Sequence, residues 1–530
     1  MAFQVSPGVQ VRERDLTNVV PAVATSIGGI VMAAQRGPVD EITPISSEEE
    51  LVSIFGKPQT DGNQFEDWMS AASFLGYGNA LRVVRPSTAT LLNATAGSAG
   101  LLIKNTTHYT DGDGTTGPYI GADASSSTVG NWVAKTAGAW GNSLKVSICA
   151  TAAIFEEEFT SGAGTVNANT NAGLTAVVVA NGGSAGDGGG KFNVGDIVHF
   201  SESNGQEYKV TSKSGDTLNI ERFGSANTAG GLTNNIAAGA TVRRRWEHYD
   251  KFDSAPGTST WVSDRGGAND EMHVIVIDED GVISGVVGEV LETWTGVSKA
   301  SDALAEDGSD NYYVNVFYTG SDYVYVTDHA ATNWGTTGVG TTFTNVTAPI
   351  DDSLSNGTDD FSLDAGEVQL GIDRFSDSET VDLNLFICGK ADATEAKYAV
   401  DMCTDRKDCV AFVSPERADV VNVTTEVQQT KNVKDFFSSF PSSSYAVFDS
   451  GYKYTYDKYN DTYRFIPLNG DIAGLCARTD SVADSWFSPA GFSRGQIRGV
   501  VKLAYNPQKA NRDILYKNRV NPVCTFPGQG

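Results

Sequence analysis

Between residues 27 and 88 the apolar positions fall first in an unbroken run, then at helical spacing, then in a second run. Residues 27–33 read as a buried strand, because a continuous apolar stretch bounded by polar turns suits the inside of a sheet. Ser46, followed three residues later by Glu49, reads as a capping box opening a short helix through Leu51, Val52, Ile54 and Phe55, which Gly56 and Pro58 stop. A second helix carries Trp68, Ala72 and Leu75 on one stripe and ends at Gly76 and Gly78. Residues 81–85 form the next strand, cut off by Pro86. The same grammar returns only after residue 375, as strand 381–388, helix 394–406, strand 409–413, helix 426–440 and strand 445–448. Two α/β segments so far apart predict one discontinuous domain into which others are inserted.

The intervening stretch reads as β-rich. Residues 273–277, the polar Asp278-Glu279-Asp280-Gly281 and then Val282-Ile283 signal a hairpin. Residues 312–317, Thr319-Gly320-Ser321 and 323–326 signal a second. Within it, residues 156–245 look like a further insertion: 182–190 are nearly all small, and 197–200, Asn204-Gly205, 208–211 and 218–221 read as a meander. Residues 1–22 lack a helical period and contain Pro7, Gly8 and Pro21, so they predict an extended arm that must add to a sheet edge. The fold class expected is multidomain α+β with an α/β part: a discontinuous α/β core domain with nested β-rich inserted domains. Its boundaries are an arm at 1–22, the core at 23–88 plus 346–515, a β-rich domain at 89–155 plus 246–345, a protruding insertion at 156–245, and a further segment at 516–530.

The 530 residues are too many for one core, and 57 glycines agree with many turns and short strands. A formal charge of −27 repels nucleic acid, whose binding depends on phosphate neutralisation. No run of 18 or more apolar residues is present, and the N-terminus has no basic and apolar leader pattern. The six cysteines are scattered, several of them in apolar runs, as small buried hydrophobes are. His108, His199, His248, His273 and His329 stand singly, Cys403 and Cys409 are poorly spaced for zinc, and Asp111-Gly112-Asp113-Gly114 lacks the later acids of a calcium loop. No phosphate loop, dinucleotide fingerprint or nucleophile elbow occurs. The expectation is therefore no catalytic, cofactor-binding or metal-binding residue. Arg243-Arg244-Arg245 reads as a strand face or salt-bridge partner, and Tyr452, Tyr454 and Tyr456 with Tyr463 and Phe465 as an aromatic hairpin. One charge feature stands out: residues 491–530 are net +6 while the rest is −33, a polarity able to orient the chain against an acidic partner.

Several runs carry a specific resemblance: Ser6-Pro7-Gly8-Val9, Phe55-Gly56-Lys57-Pro58, Phe74-Leu75-Gly76-Tyr77-Gly78 with Leu81-Arg82-Val83-Val84-Arg85, and above all residues 471–495, followed by Asn521-Pro522-Val523 and Phe526-Pro527-Gly528. Together they resemble the tail sheath proteins of contractile-tailed bacteriophages of the large T-even type. The resemblance covers both α/β segments and both ends, and is weak over about 90–345. It implies a structural, non-enzymatic subunit without cofactors. Such a subunit stacks in six-fold rings around a tail tube and contracts to drive the tube through the host envelope.

The partners implied are other sheath subunits, the tail tube protein, and baseplate and tail terminator proteins, with no direct nucleic acid and no membrane insertion. Its place would be the virion, after assembly in the host bacterial cytoplasm. Ser6, Pro7, Gly8, Val9, Val11 and Arg12 would then be the strand-adding arm, while charge marks Arg494, Arg498 and Lys502 for contact with the tube or a neighbour. Proteins of this type continue past the Phe-Pro-Gly motif, so the stop at Gly530 is expected to omit most of the inner domain and impair assembly. Alternatives are the sheath of a related contractile injection particle, a glycan-binding viral adhesin and, more distantly, a carboxylate-based glycosidase.

Overall fold

The computed structural model of the chain describes residues 26–112, 119, 128–184 and 186–526. Its organising element is a seven-stranded sheet in the order Ile42–Ile45, Leu81–Val84, Gly28–Val31, Leu385–Ile387, Val410–Val413, Ala446–Asp449, Val520–Asn521. All neighbours are parallel except Ile42–Ile45, which runs antiparallel to Leu81–Val84. Gly28–Val31 lies between a strand of its own segment and one more than 350 residues later, with Gly28 opposite both Leu81 and Leu385.

A parallel sheet must be covered on both faces. Helices Glu48–Phe55, Gln64–Leu75 and Asn469–Val482 cover one through Leu51, Phe55, Trp68, Phe74 and Ala473. Helices Ala365–Asp373, Ala393–Arg406, Glu426–Ser438 and Lys509–Lys517 cover the other through Ile372, Val400, Val433, Phe437 and Leu515. The first helix is capped one residue later than the sequence predicts. Ser47 Oγ accepts from Glu50 N at 3.2 Å, and the Glu50 carboxylate accepts from Ser46 N and Oγ.

Three further sheets lie between the two α/β segments. Glu289–Ser298, Glu271–Asp278, Leu144–Cys149 and Ile350–Ser353 form an antiparallel four-stranded sheet, and Trp132–Ala134 pairs with Val324–Val326. Glu156–Phe159, Val242–Arg245, Ile197–His199, Tyr208–Ser214, Thr217–Arg222 and Ala176–Val178 make a six-stranded sheet around a core of its own. The meander expected there is present as Ile197–His199, Tyr208–Ser214 and Thr217–Arg222.

Two sequence expectations need correction. The second hairpin does not form, because residues Tyr313–Gly320 are a helix. Tyr313, Val314 and Phe317 are its buried positions, so the aromatic and β-branched run that resembles a strand is one helical face. The first hairpin is real, but its return strand starts at Glu289; Val282 and Ile283 sit in the turn, where the Asp278 carboxylate accepts from the amides of Ile283 and Ser284. Strand Ile350–Ser353 pairs with Leu144–Cys149, helix Lys509–Lys517 spans 515/516, and Val520–Asn521 joins the large sheet.

The carboxyl ends of the parallel strands, where open α/β sheets form their crevice, are filled by the chain's own polar groups. Asp449 is buried and accepts from Ser414 Oγ at 2.7 Å and Gly451 N at 2.9 Å, with no cation paired to it among the described residues. Burial pushes its carboxyl up to about 7. Glu66, buried beside Arg417 at 3.0 Å and the Tyr452 hydroxyl, is likewise pushed up to about 7 by burial. Nearby, Lys453 Nζ lies 2.8 Å from Asp471 Oδ2, both side chains nearly inaccessible, and also donates to the Arg498 carbonyl. That pair ties strand Tyr452–Asp457 to helix Asn469–Val482.

Two outcomes are expected. A buried carboxyl titrating near 7 in the folded chain and near 4 when unfolded binds its proton preferentially in the fold, so stability rises as pH falls from 8 to 6. Thermal melts at the two pH values should show this, and Asp449→Asn should flatten the rise; a higher melting temperature at pH 8 refutes it. Lys453→Met leaves Asp471 buried without its cation and should cost about 3–5 kcal/mol, read from denaturant titrations against Lys453→Met/Asp471→Leu, which should recover most of the loss.

Candidate functional site

The run that dominates the sequence, residues 471–495, resolves into a packed half and an exposed half. Helix Asn469–Val482 crosses Gln64–Leu75 at backbone contact: a Cβ on Gly470 would stand 2.3 Å from the Ser70 carbonyl oxygen, and one on Gly474 2.5 Å from the Tyr77 ring. Only glycine fits at these two positions. Asn469 caps the neighbouring strand ends, donating from Nδ2 to the Gly389 carbonyl at 2.6 Å and from its amide to Ser414 Oγ at 3.1 Å. Much of what is distinctive in the run is therefore packing. Gly470, just outside it, was not singled out by the sequence reading, although the Gly-x-x-x-Gly spacing of 470 and 474 was legible as a close-contact signal.

After the helix the chain leaves the core. Trp486 is 78% exposed, stacked against Phe487 at 6.2 Å, and Phe492 is 55% exposed, edge-on to Phe526 at 5.4 Å. The three predicted basic residues border this aromatic segment but do not form one cluster of equivalent groups. Arg494 lies over the Phe487 ring at 5.4 Å and donates from Nε to the Ser488 carbonyl at 2.9 Å. Arg498 pins the segment down: its amide donates to Tyr77 Oη at 2.7 Å, its guanidinium donates to the Gly76 carbonyl and lies 5.1 Å from the Tyr77 ring. Lys502 is exposed in the short edge strand Lys502–Leu503, with Nζ 4.8 Å from the Tyr454 ring and 5.6 Å from Phe465. The aromatic hairpin is thus a cation-bearing sheet face, with Tyr454 and Tyr463 stacked across strands at 5.5 Å and Tyr456 and Tyr463 at 5.1 Å. This surface is aromatic and partly exposed, with basic side chains along it.

Ser6, Pro7, Gly8, Val9, Val11 and Arg12 lie outside the described residues. Two of the five histidines are held in packed contacts. His273 is stacked on Phe252 at 4.3 Å and holds Ser254 O and Gly296 N, and His329 bonds Tyr313 Oη at 2.6 Å. Arg243, Arg244 and Arg245 are held by Glu207, Glu157 and Glu156 at the six-stranded sheet. Among the described residues no group of three His, Cys, Asp or Glu side chains could hold a metal ion, and no helix is long and apolar enough to cross a membrane.

Comparison with known proteins places this arrangement. The profile of the phage tail sheath protein central domain matches residues 364–530. Tail sheath protein of Enterobacteria phage T4 is 30% identical over 99% of this chain and 80% of its own length. Tail sheath protein of Vibrio phage KVP40 is 30% identical over 99% of this chain and 81% of its own length. A solved sheath tail protein from Desulfitobacterium hafniense is 10% identical, covering 98% of this chain and 73% of its own, with a TM-score of 0.40, too loose a likeness to add weight. With such identity to two tail sheath proteins along nearly its whole length, the chain belongs to the bacteriophage tail sheath protein family, whose members are structural components of the virion.

Proposed function

We propose that this chain is the subunit of a contractile tail sheath, polymerising as stacked six-fold rings around a tail tube and contracting to drive that tube through a host envelope. The observation that carries the reading is the identity to tail sheath proteins over 99% of the chain. The role is mechanical. A sheath assembled on its tube and baseplate is held in a metastable lattice by subunit contacts, and a trigger releases it to a lower-energy lattice by rigid-body rotation of subunits. Rigid-body motion needs a subunit that does not deform, and the seven-stranded sheet covered on both faces, with the buried ion pair at Lys453 and Asp471, suits that demand.

The reading assigns residues 1–22 as an arm, with Ser6, Pro7, Gly8, Val9, Val11 and Arg12 adding a strand to a neighbour. It assigns Arg494 and Lys502, on the exposed aromatic segment, as contacts toward the tube or an adjacent subunit, and Arg498 as the residue that holds this segment in place. It takes the α/β segments as one discontinuous domain with the middle of the chain inserted, and residues 156–245 as an outward protrusion. Partners are further sheath subunits, tail tube protein, baseplate and tail terminator proteins, and assembly takes place in the bacterial cytoplasm before the virion is complete.

Electron microscopy of tail tube protein mixed with the chain, and with the chain extended to the full length of its tail sheath relatives, should show tubes decorated by stacked six-fold rings, more completely with the extended chain. Arg494→Glu/Lys502→Glu should keep the melting temperature and lower the decorated fraction about tenfold, with the loss steepest at low salt. Undecorated tubes both with the unaltered chain and with a chain extended to the full length of its tail sheath relatives sink the sheath assignment, and equal decoration by the double variant removes the two basic residues from the contact.

A further inference from the structure

On the sheet face covered by four helices, charge is sorted to the two ends. Helix Ala365–Asp373 packs against strand Gly28–Val31 and helix Ala393–Arg406. It and the following loop carry Asp364, Glu367, Asp373, Asp377, Glu379 and Asp382 against Arg374 alone. Helix Lys509–Lys517 packs at the far end against Glu426–Ser438 and strand Val520–Asn521. There Lys509, Arg512, Lys517 and Arg519 stand against Asp513 alone. Ile372 and Leu515 belong to one continuous core, so both helices lie on the same face. Four strand spacings separate Gly28–Val31 from Val520–Asn521, roughly 19 Å.

Each end also displays uncovered apolar surface. Leu370 is 54% exposed at the acidic end, while Tyr516 is 75% and Val427 74% exposed at the basic end. Neutralisation from within the chain is partial: the Arg406 guanidinium donates to the Phe375, Asp377 and Val381 carbonyls beside the acidic loop, and the Glu426 carboxylate accepts from the Gln508 amide at the start of the basic helix. Asp382 lies 4.0 Å from Arg82 with its own side chain 85% exposed, Arg374 reaches Asp40 at 3.6 Å, and Lys431 pairs with Asp435. Among the described residues no ion pair involves Lys509, Lys517, Glu379 or Asp364. Among the described residues no ion pair joins the two helices, which pack against strands four spacings apart.

We infer that the acidic end of one subunit docks on the basic end of a second copy, Leu370 meeting the Tyr516 and Val427 surface inside a rim of opposite charges. The contact joins different patches of identical chains, so it is heterologous and repeats, closing into a ring or continuing as a helix. The inference deepens the sheath reading and rests on it for its setting. In a chain of formal charge −27, subunits repel at a distance, and a locally matched contact gives register as well as attraction.

Complementary charge reversal tests it. Lys509→Glu/Lys517→Glu reverses the basic end, and Glu379→Lys/Asp382→Lys reverses the acidic end; all four side chains are on exposed residues, so melting temperatures should match the unaltered chain. Sedimentation velocity at low salt should show concentration-dependent association of the unaltered chain, weakened about tenfold or more in each variant alone. Mixing the variants should restore it, because each supplies the face the other now needs. Association unchanged in both variants, a mixture no better than its parts, or a chain that stays monomeric throughout overturns the contact. Decorated tubes formed equally by both variants would overturn it while leaving the sheath reading intact; charge-dependent association without any decorated tube would do the reverse.

Discussion

The structure depends on one long-range closure, the pairing of Gly28–Val31 with Leu385–Ile387. Without it the N-terminal strands would form a narrow sheet with an open edge, and the later strands would lack their first neighbour. Closure brings the ends of a very long stretch of chain together, yet the entropy of a loop grows only with the logarithm of its length. A long intervening stretch therefore costs little if the two segments fit, and it can fold around cores of its own, as the six-stranded sheet does. The helices on both faces follow from the same closure, since a parallel sheet leaves neither face to water.

A second constraint comes from how the sheet's crevice is filled. The carboxyl ends of the strands hold Asp449, Glu66, Asn469 and the Lys453–Asp471 pair. Burying these groups is costly unless each has partners, and the partners come from helices and strands distant in sequence. Removing one group exposes the others' need for it. This makes the region sensitive to substitution and holds the segment from Asp484 onward in a defined position through Arg498 and Tyr77. The exposed aromatics beyond that anchor, Trp486 and Phe492 among them, are attached to the core through it.

The α/β elements were legible because each has strong local signals: apolar runs for strands and apolar stripes for helices. Sequence reading failed where a local signal was ambiguous. Tyr313, Val314 and Phe317 have strand-forming side chains, and only their packing against Trp132 and Trp294 shows that they are one face of a helix. The Val282-Ile283 pair looked like a return strand, while its backbone amides are in fact claimed by Asp278 and Ser143. Strand Ile350–Ser353 carries two aspartates and has no alternation to betray it; its partner Leu144–Cys149 supplies the reason it is extended.

The sequence by itself determined the alternation of strands and helices, the acid excess, the basic final stretch and the family resemblance, because these are written in residue type and spacing. Only the tertiary structure decided which strands are neighbours, that Gly470 and Gly474 are contact points between helices, and that Arg498 anchors while Arg494 and Lys502 border an open surface. It also decided that acidic and basic segments lie at opposite ends of one helical layer. The physical reason is the same in each case. Local sequence sets which conformation a segment prefers, whereas neighbours, burial and the direction of a charge depend on residues hundreds of positions away that only the folded chain brings together.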